Sequence, residues 1–135
     1  MFDFQPDHYA ISVSDMGRSV SFYEKLGFSM LKDYEADDKS VRIVHLIKDD
    51  FILELFCYPG SAPVPAFAET VASDLNVQGS KHIGLMAQDL SAAGEYLFKE
   101  GLISEKPKIL KGRLGRPYFF IKDPDGINVE IIQAR

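Results

Sequence analysis

The chain is a duplication, and that constrains its fold more than any single motif. Laying His8 on His82 brings HYAISVSDMGRSVSFYEKLGF onto HIGLMAQDLSAAGEYLFKEGL. Asp15 then meets Asp89, Gly27 meets Gly101, and the apolar positions agree: Ile11 with Leu85, Met16 with Leu90, Phe22 with Tyr96, Phe28 with Leu102. Further on, DDFILELF aligns with DGINVEII after a slip of two residues, which pairs Glu54 with Glu130. Two copies of one motif predict two copies of one supersecondary unit.

The grammar of each copy is readable. Tyr9, Ile11 and Val13 alternate with Ala10, Ser12 and Ser14, the period of a half-buried strand. Ser14 or Asp15 caps a helix beginning near Met16, Val20, Tyr23 and Leu26 follow at helical spacing, and Gly27 stops it. The second copy repeats this with a strand over 82–88, Asp89 or Ser91 as cap, a helix over 92–100 and Gly101 as stop. Strand-like runs follow at 29–34, 41–47 and 51–58 in the first copy, and at 108–110, 118–121 and 128–133 in the second. The turns Asp49-Asp50 and Asp123-Pro124-Asp125-Gly126 suit tight connections between antiparallel strands. Residues 59–79, rich in Pro, Ala and Ser, read as a linker carrying one helical turn. The expected fold is therefore α+β: a single domain over 1–135 made of two tandem βαβββ modules, at about 5–58 and about 80–135.

Composition serves mainly to exclude. With 46% hydrophobic residues in 135, there is material for a core without staples, and the single Cys57 removes disulfide frameworks and Cys-based zinc sites. A net charge of −5 without a dense basic stretch carries no nucleic-acid footprint. No apolar run approaches the ~18 residues of a membrane helix. The start, MFDFQPDHY, lacks the basic and apolar regions of a secretion signal, so a cytoplasmic protein is expected, without nucleic acid or membrane.

The repeat selects four residues with metal-binding chemistry. His8 and His82 begin the first strand of each copy, and Glu54 and Glu130 lie in the last. Two imidazoles and two carboxylates suit Ni, Zn, Co, Mn or Fe(II). Taken singly, a strand histidine is usually a hydrogen-bonded bystander and a strand glutamate a solvated one; it is the recurrence that raises these four. Strand parity puts Ala10 and Ser12 on the His8 face, and Gly84 and Met86 on the His82 face, with Tyr9, Ile11, Val13, Ile83 and Leu85 turned toward the helices. Glu54 lies between Leu53 and Leu55, and Glu130 between Val129 and Ile131, so each carboxylate either faces solvent or is paired. Phe56, Tyr58, Met86 and Ile132 share faces with the ligands and either line a pocket or belong to the core. His45 has no counterpart in the other copy and reads as structural or exposed. Cys57, an odd number of residues from Glu54, should point away from the metal as a buried small hydrophobe.

These motifs resemble a known family. DxxxSxxFYxxLGF after the first His, the LELF strand, HIGLxxxDL and the closing FFxxDPDGxxxEI, with Glu130 at its end, are similar to the vicinal oxygen chelate superfamily of glyoxalase I, bleomycin-resistance proteins, fosfomycin-resistance enzymes and extradiol dioxygenases. The resemblance covers nearly the whole chain. It implies a curved mixed sheet around a metal cavity, with His8, Glu54, His82 and Glu130 at the ligand positions and one divalent ion per site. It also implies a homodimer. The extra carboxylate, Glu54, favours the glyoxalase-I-like or epimerase-like branch over thiol-transferases and extradiol dioxygenases, and four intact ligands count against a pure sequestration protein.

In that branch the resemblance implies an isomerase or lyase, like lactoylglutathione lyase, acting on a small vicinal-oxygen substrate such as a 2-oxoaldehyde–thiol hemithioacetal. The resemblance further implies an ion that would stabilise an enediolate while a carboxylate would carry the proton, Glu130 first and Glu54 second. Where glutathione-dependent members place an arginine and an asparagine against glutathione, this chain has Ser12 and Tyr58, which implies retained fold and metal without glutathione as the handle. Lys111, Arg113 and Arg116 in KGRLGRP either clamp a substrate carboxylate or phosphate, or form a solvated basic loop. The rival readings are a non-catalytic, antibiotic-type binding protein and a thiol-transferase or extradiol dioxygenase of the same superfamily.

Overall fold

Each half of the duplication folds into the same unit. The computed structural model describes residues Met1–Arg135, which divide into Met1–Pro63 and Val64–Arg135. The first unit runs β1 (His8–Ser12), α1 (Met16–Lys25), β2 (Ser29–Glu35), β3 (Arg42–Lys48) and β4 (Phe51–Cys57). Its sheet has the order β1-β4-β3-β2, with β1 parallel to β4 and the other pairs antiparallel. The second unit has a 3-10 turn (Ala66–Glu69), α2 (Val71–Leu75), β5 (Ile83–Ala87), α3 (Leu90–Lys99), β6 (Leu110–Lys111), β7 (Pro117–Lys122) and β8 (Asn128–Gln133). Its order, β5-β8-β7-β6, again pairs the first strand with the last in parallel. This is βαβββ twice, in two four-stranded mixed sheets, as the duplication predicts.

The helix ends explain why the elements stop where they do. Asp15 accepts from the Arg18 N–H at 3.0 Å and Asp89 from the Ala92 N–H at 2.9 Å. In each pair of cap candidates the aspartate takes the role, satisfying an orphan donor and placing negative charge at the positive end of the helix. At the other end Gly27 adopts φ +98° and Gly101 φ +73°. Phe28 N–H reaches back to the Tyr23 carbonyl at 3.1 Å, and Leu102 N–H to that of Leu97 at 2.9 Å. Both are left-handed glycine stops that satisfy the last carbonyls.

Parity along the strands holds. Ile11 and Val13 are buried, while His8, Ala10 and Ser12 are exposed on the opposite face. On β4, Leu53 and Leu55 are fully buried with Val44 and Leu46 of β3 and Tyr23 of α1. Phe119, Ile121, Val129, Ile131 and Leu97 do the same in the second unit. Each such side chain contributes roughly 1.5–3 kcal/mol by leaving water. Glu54 and Glu130, one residue out of phase with these, are thereby turned away from the core.

Two sequence expectations change. The stretch from Val64 onward is built into the second unit rather than crossing between elements: Lys122 Nζ and Asn128 Nδ2 both donate to the Ala68 carbonyl, at 3.1 and 3.4 Å. The buried Asp74 pairs with Lys81 at 3.1 Å, a tertiary contact that a Pro- and Ala-rich composition does not announce. Cys57, the last residue of β4, is half-buried rather than buried, with Sγ 3.6 Å from the Ser14 carbonyl. No helix is long and apolar enough to cross a membrane.

Candidate functional site

In the first module the parallel pairing of β1 with β4 sets Ala10 opposite Glu54. His8 then extends its ring toward the carboxylate, with Nε2 3.5 Å from Glu54 Oε1. The other ring nitrogen, Nδ1, is 2.7 Å from Asp7 Oδ2. That hydrogen bond is the main cause of a raised His8 pKa; partial burial opposes it, and the Glu54 charge adds to it. The Asp49-Asp50 turn closes β3 on β4 with Asp49 at φ 52°, so Lys48 faces Phe51 and His45 falls opposite Glu54. His45 Nε2 lies 2.6 Å from Glu54 Oε2. Glu54 is thus the paired rather than the solvated alternative, with an imidazole at each oxygen.

In the second module Gly84 pairs with Glu130 across β5 and β8. His82 Nε2 is 3.1 Å from Glu130 Oε2. Phe120, opposite Glu130 on β7, meets the His82 ring edge-on at 4.8 Å. His82 Nδ1 is buried without a partner. An unsatisfied buried polar atom costs about 1–3 kcal/mol, which argues against a purely structural histidine. His82 and Glu130 open into a cavity of about 870 Å³ whose walls include Tyr118, Phe120, Ile132, Arg113 and Arg116.

The other predicted residues separate. Ile132 and Arg113 line that cavity, Arg113 exposed and without a protein partner. Arg116 also lines it, but donates through Nε and Nη2 to the Gln133 carbonyl at 2.9 and 2.6 Å, tying the 112–116 loop to the end of β8. Lys111 is exposed on β6 and Met86 on β5, and neither is part of the cavity wall. In the first module Ser12 is exposed opposite the half-buried Phe56. Phe56 stacks on Tyr58 at 6.4 Å, and Tyr58, beyond the end of β4, lines a separate cavity of about 520 Å³ with Arg42 and Cys57. Asp7 and His45 are the residues sequence reading missed as site members. For His45 a signal existed: counting outward from a two-residue turn at Asp49-Asp50 places it opposite Glu54.

The donor spacing tests whether these residues suit a metal. Ligand bonds of ~2.0–2.2 Å, at angles between square and tetrahedral, put neighbouring donors about 2.8–3.6 Å apart. The His8–Glu54 and His82–Glu130 separations, 3.5 and 3.1 Å, are of that size. His82 Nε2 and Glu130 Oε2 at 3.1 Å are also at the length of an N–H···O hydrogen bond that the imidazole donates, so a cation held by the pair would take the place of that proton. Asp7 occupies the far nitrogen of His8, the place an outer carboxylate takes on a histidine that ligates a metal. No three or more His, Cys, Asp or Glu side chains form a group spaced to hold an ion.

Comparison with known proteins agrees with this architecture. Residues 5–131 match the family model of the Glyoxalase/Bleomycin resistance protein/Dioxygenase superfamily. The uncharacterized protein YwbC of Bacillus subtilis (strain 168) is 30% identical over 132 residues, covering 94% of this chain and 95% of that one. Among solved structures, a glyoxalase family protein from Enterococcus faecalis superposes with a TM-score of 0.81 at 25% identity, covering 98% of this chain and 99% of that one. The trypanothione-dependent glyoxalase I of Leishmania major shares the fold, with a TM-score of 0.69 at 22% identity over 97% of this chain and 87% of that one. With the family model spanning both βαβββ modules and their histidine–glutamate pairs, this chain belongs to the glyoxalase/bleomycin resistance protein/dioxygenase superfamily, the vicinal oxygen chelate proteins.

Proposed function

We propose that the protein is a glyoxalase-I-like isomerase or lyase in which His8, Glu54, His82 and Glu130 ligate one divalent ion. Its substrate would be a small molecule with oxygens on adjacent carbons, such as the hemithioacetal of a 2-oxoaldehyde. The superfamily includes enzymes such as glyoxalase I. The observation that carries the reading is the repetition of a histidine–glutamate pair at ligand spacing, 3.5 Å in one module and 3.1 Å in the other.

A bound Ni, Zn, Co, Mn or Fe(II) ion supplies Lewis acidity that stabilises negative charge developing on the substrate oxygens. Glu130 is the base. Only its Oε2 is engaged, by His82, and Oε1 has no protein partner, so the carboxylate has an oxygen with which to take a proton from one substrate carbon and return it to the next. Tyr118, Phe120 and Ile132 wall the cavity beside it, excluding water and accepting a hydrophobic part of the substrate. Arg113 offers an unpaired cation at the same cavity for an anionic end, while Arg116 shapes the loop. Ser12 and Tyr58 provide neither a cation nor an amide for glutathione, so the thiol partner is a different one. A homodimer is part of this reading.

The test is metal content per chain, on untagged protein loaded separately with Ni, Co, Zn, Mn and Fe(II). One equivalent is expected in wild type, lost in His82→Ala. Hemithioacetals of several thiols then follow as substrates, with Glu130→Gln expected to lose turnover while still binding metal. No stoichiometric metal under any loading overturns the reading and leaves the cavity as a binding site without turnover.

A further inference from the structure

The two modules place different residues opposite their glutamates. On β3 the partner of Glu54 is His45; on β7 the partner of Glu130 is Phe120. The duplication is otherwise close at this point: parallel first and last strands, a histidine near the start of the first and a glutamate in the last. The substitution therefore changes what one carboxylate can do and leaves the other alone.

His45 is not a third ligand beside Glu54. Its Nε2 is 2.6 Å from Oε2, closer than the ~2.8–3.6 Å that two donors on one ion keep. It is the distance of a short charge-assisted hydrogen bond, and because an ionised carboxylate only accepts, Nε2 carries the proton and donates. His8 stands at the other oxygen, Oε1, with its ring stacked on that of His45 at a centroid distance of 6.3 Å and an interplanar angle of 22°. Both groups are largely shielded, with side-chain exposures of 27% for His45 and 17% for Glu54. Glu54 is thus held at Oε2 and presents Oε1 beside His8. Glu130 has no such tether: Phe120 gives it no donor and spends its ring edge-on against His82.

We propose that His45 is a positioning residue that locks Glu54 as a stationary ligand, and that its replacement by Phe120 in the second module leaves Glu130 as the carboxylate able to move. The inference rests on the metal reading above and deepens it: a symmetric ligand set becomes one holder and one proton carrier. A hydrogen bond on the far oxygen fixes the rotation of the carboxylate and raises its occupancy in the ligating orientation, the way outer partners of metal ligands generally act.

Cobalt(II) alone is the probe, because its visible absorption reports ligand geometry without turnover. Three proteins are titrated against a competing chelator: wild type, His45→Phe, which copies the second module, and His45→Gln, which keeps an N–H donor. The expected result is a loss of about 10–100-fold in cobalt affinity with a changed visible spectrum in His45→Phe. His45→Gln should recover most of the affinity and restore the wild-type spectrum. Far-ultraviolet circular dichroism and thermal midpoint establish that each variant is folded, and His45→Asn, too short to span the distance, replaces His45→Phe should the latter not fold. Unchanged cobalt affinity and spectrum in the folded loss variant overturn the assignment while leaving the metal reading intact. A wild type that binds no cobalt overturns the metal reading, and with it any role for His45 in orienting a ligand.

Discussion

His8 shows how much of a side chain's behaviour is set by an immediate neighbour. Asp7 lies just before β1, outside the strand alternation that would send adjacent side chains to opposite faces, and so reaches Nδ1 of the next residue. The charged imidazole is favoured mainly by that hydrogen bond, against partial burial and with help from Glu54, so its pKa lies above the ordinary 6.5. A raised histidine contributes stability that is full below its unfolded pKa and lost as pH rises through the folded one. In the metal-free protein, Asp7→Asn should bring His8 back toward 6.5, with the carbon-bound ring protons followed by NMR against pH; an unchanged titration would remove Asp7 as the cause. Adjacency alone could not reveal the pair, because only the chain direction at the entry to β1 brings Asp7 onto the ring.

At the scale of elements the helices are the most legible part, since their signals are local. Asp15 and Asp89 each accept from an N–H three residues on, and each offers an acceptor that alanine lacks. Asp15→Ala and Asp89→Ala are expected to cost about 1 kcal/mol each in urea unfolding, with no change in the slope of the transition. Ser14 and Ser91 competed for the same role in the sequence, and a shift of one or two residues in where the backbone turns helical decides between such neighbours. The strands were also readable, within a residue or two at their ends, from alternation and turns. Their register was less so. Only the two-residue Asp49-Asp50 turn carried it, and through that turn the position of His45; the β1–β4 and β5–β8 pairings join segments too far apart in sequence for local rules to align.

For the whole molecule, the consequence of ligand binding is linkage. A site that forms only in the folded chain stabilises it by mass action, by about 2.7 kcal/mol at a free ion concentration one hundred times Kd. The thermal midpoint of the wild type should therefore rise with the ion it prefers, and that of His82→Ala should not; equal shifts in both would point to metal bound elsewhere. The same scale separates core from surface: Leu55, fully buried, should cost about 2–5 kcal/mol on truncation to alanine, far more than Leu31 on the exposed edge strand β2.

From the sequence alone came the duplication, the βαβββ order, the helix caps and glycine stops, the faces of the strands, and the selection of His8, Glu54, His82 and Glu130. All of these are written in periods of two and of 3.6, in single punctuating residues, or in the comparison of one half of the chain with the other. The tertiary structure decided which oxygen meets which nitrogen. It put Asp7 behind His8 and His45 behind Glu54, left His82 Nδ1 without a partner, took Arg116 for a backbone carbonyl, and drew residues after Val64 into the second unit. Those outcomes depend on strand register, rotamer and the crossing of distant segments, where differences of an ångström distinguish a ligand from a hydrogen bond and no local pattern carries the information.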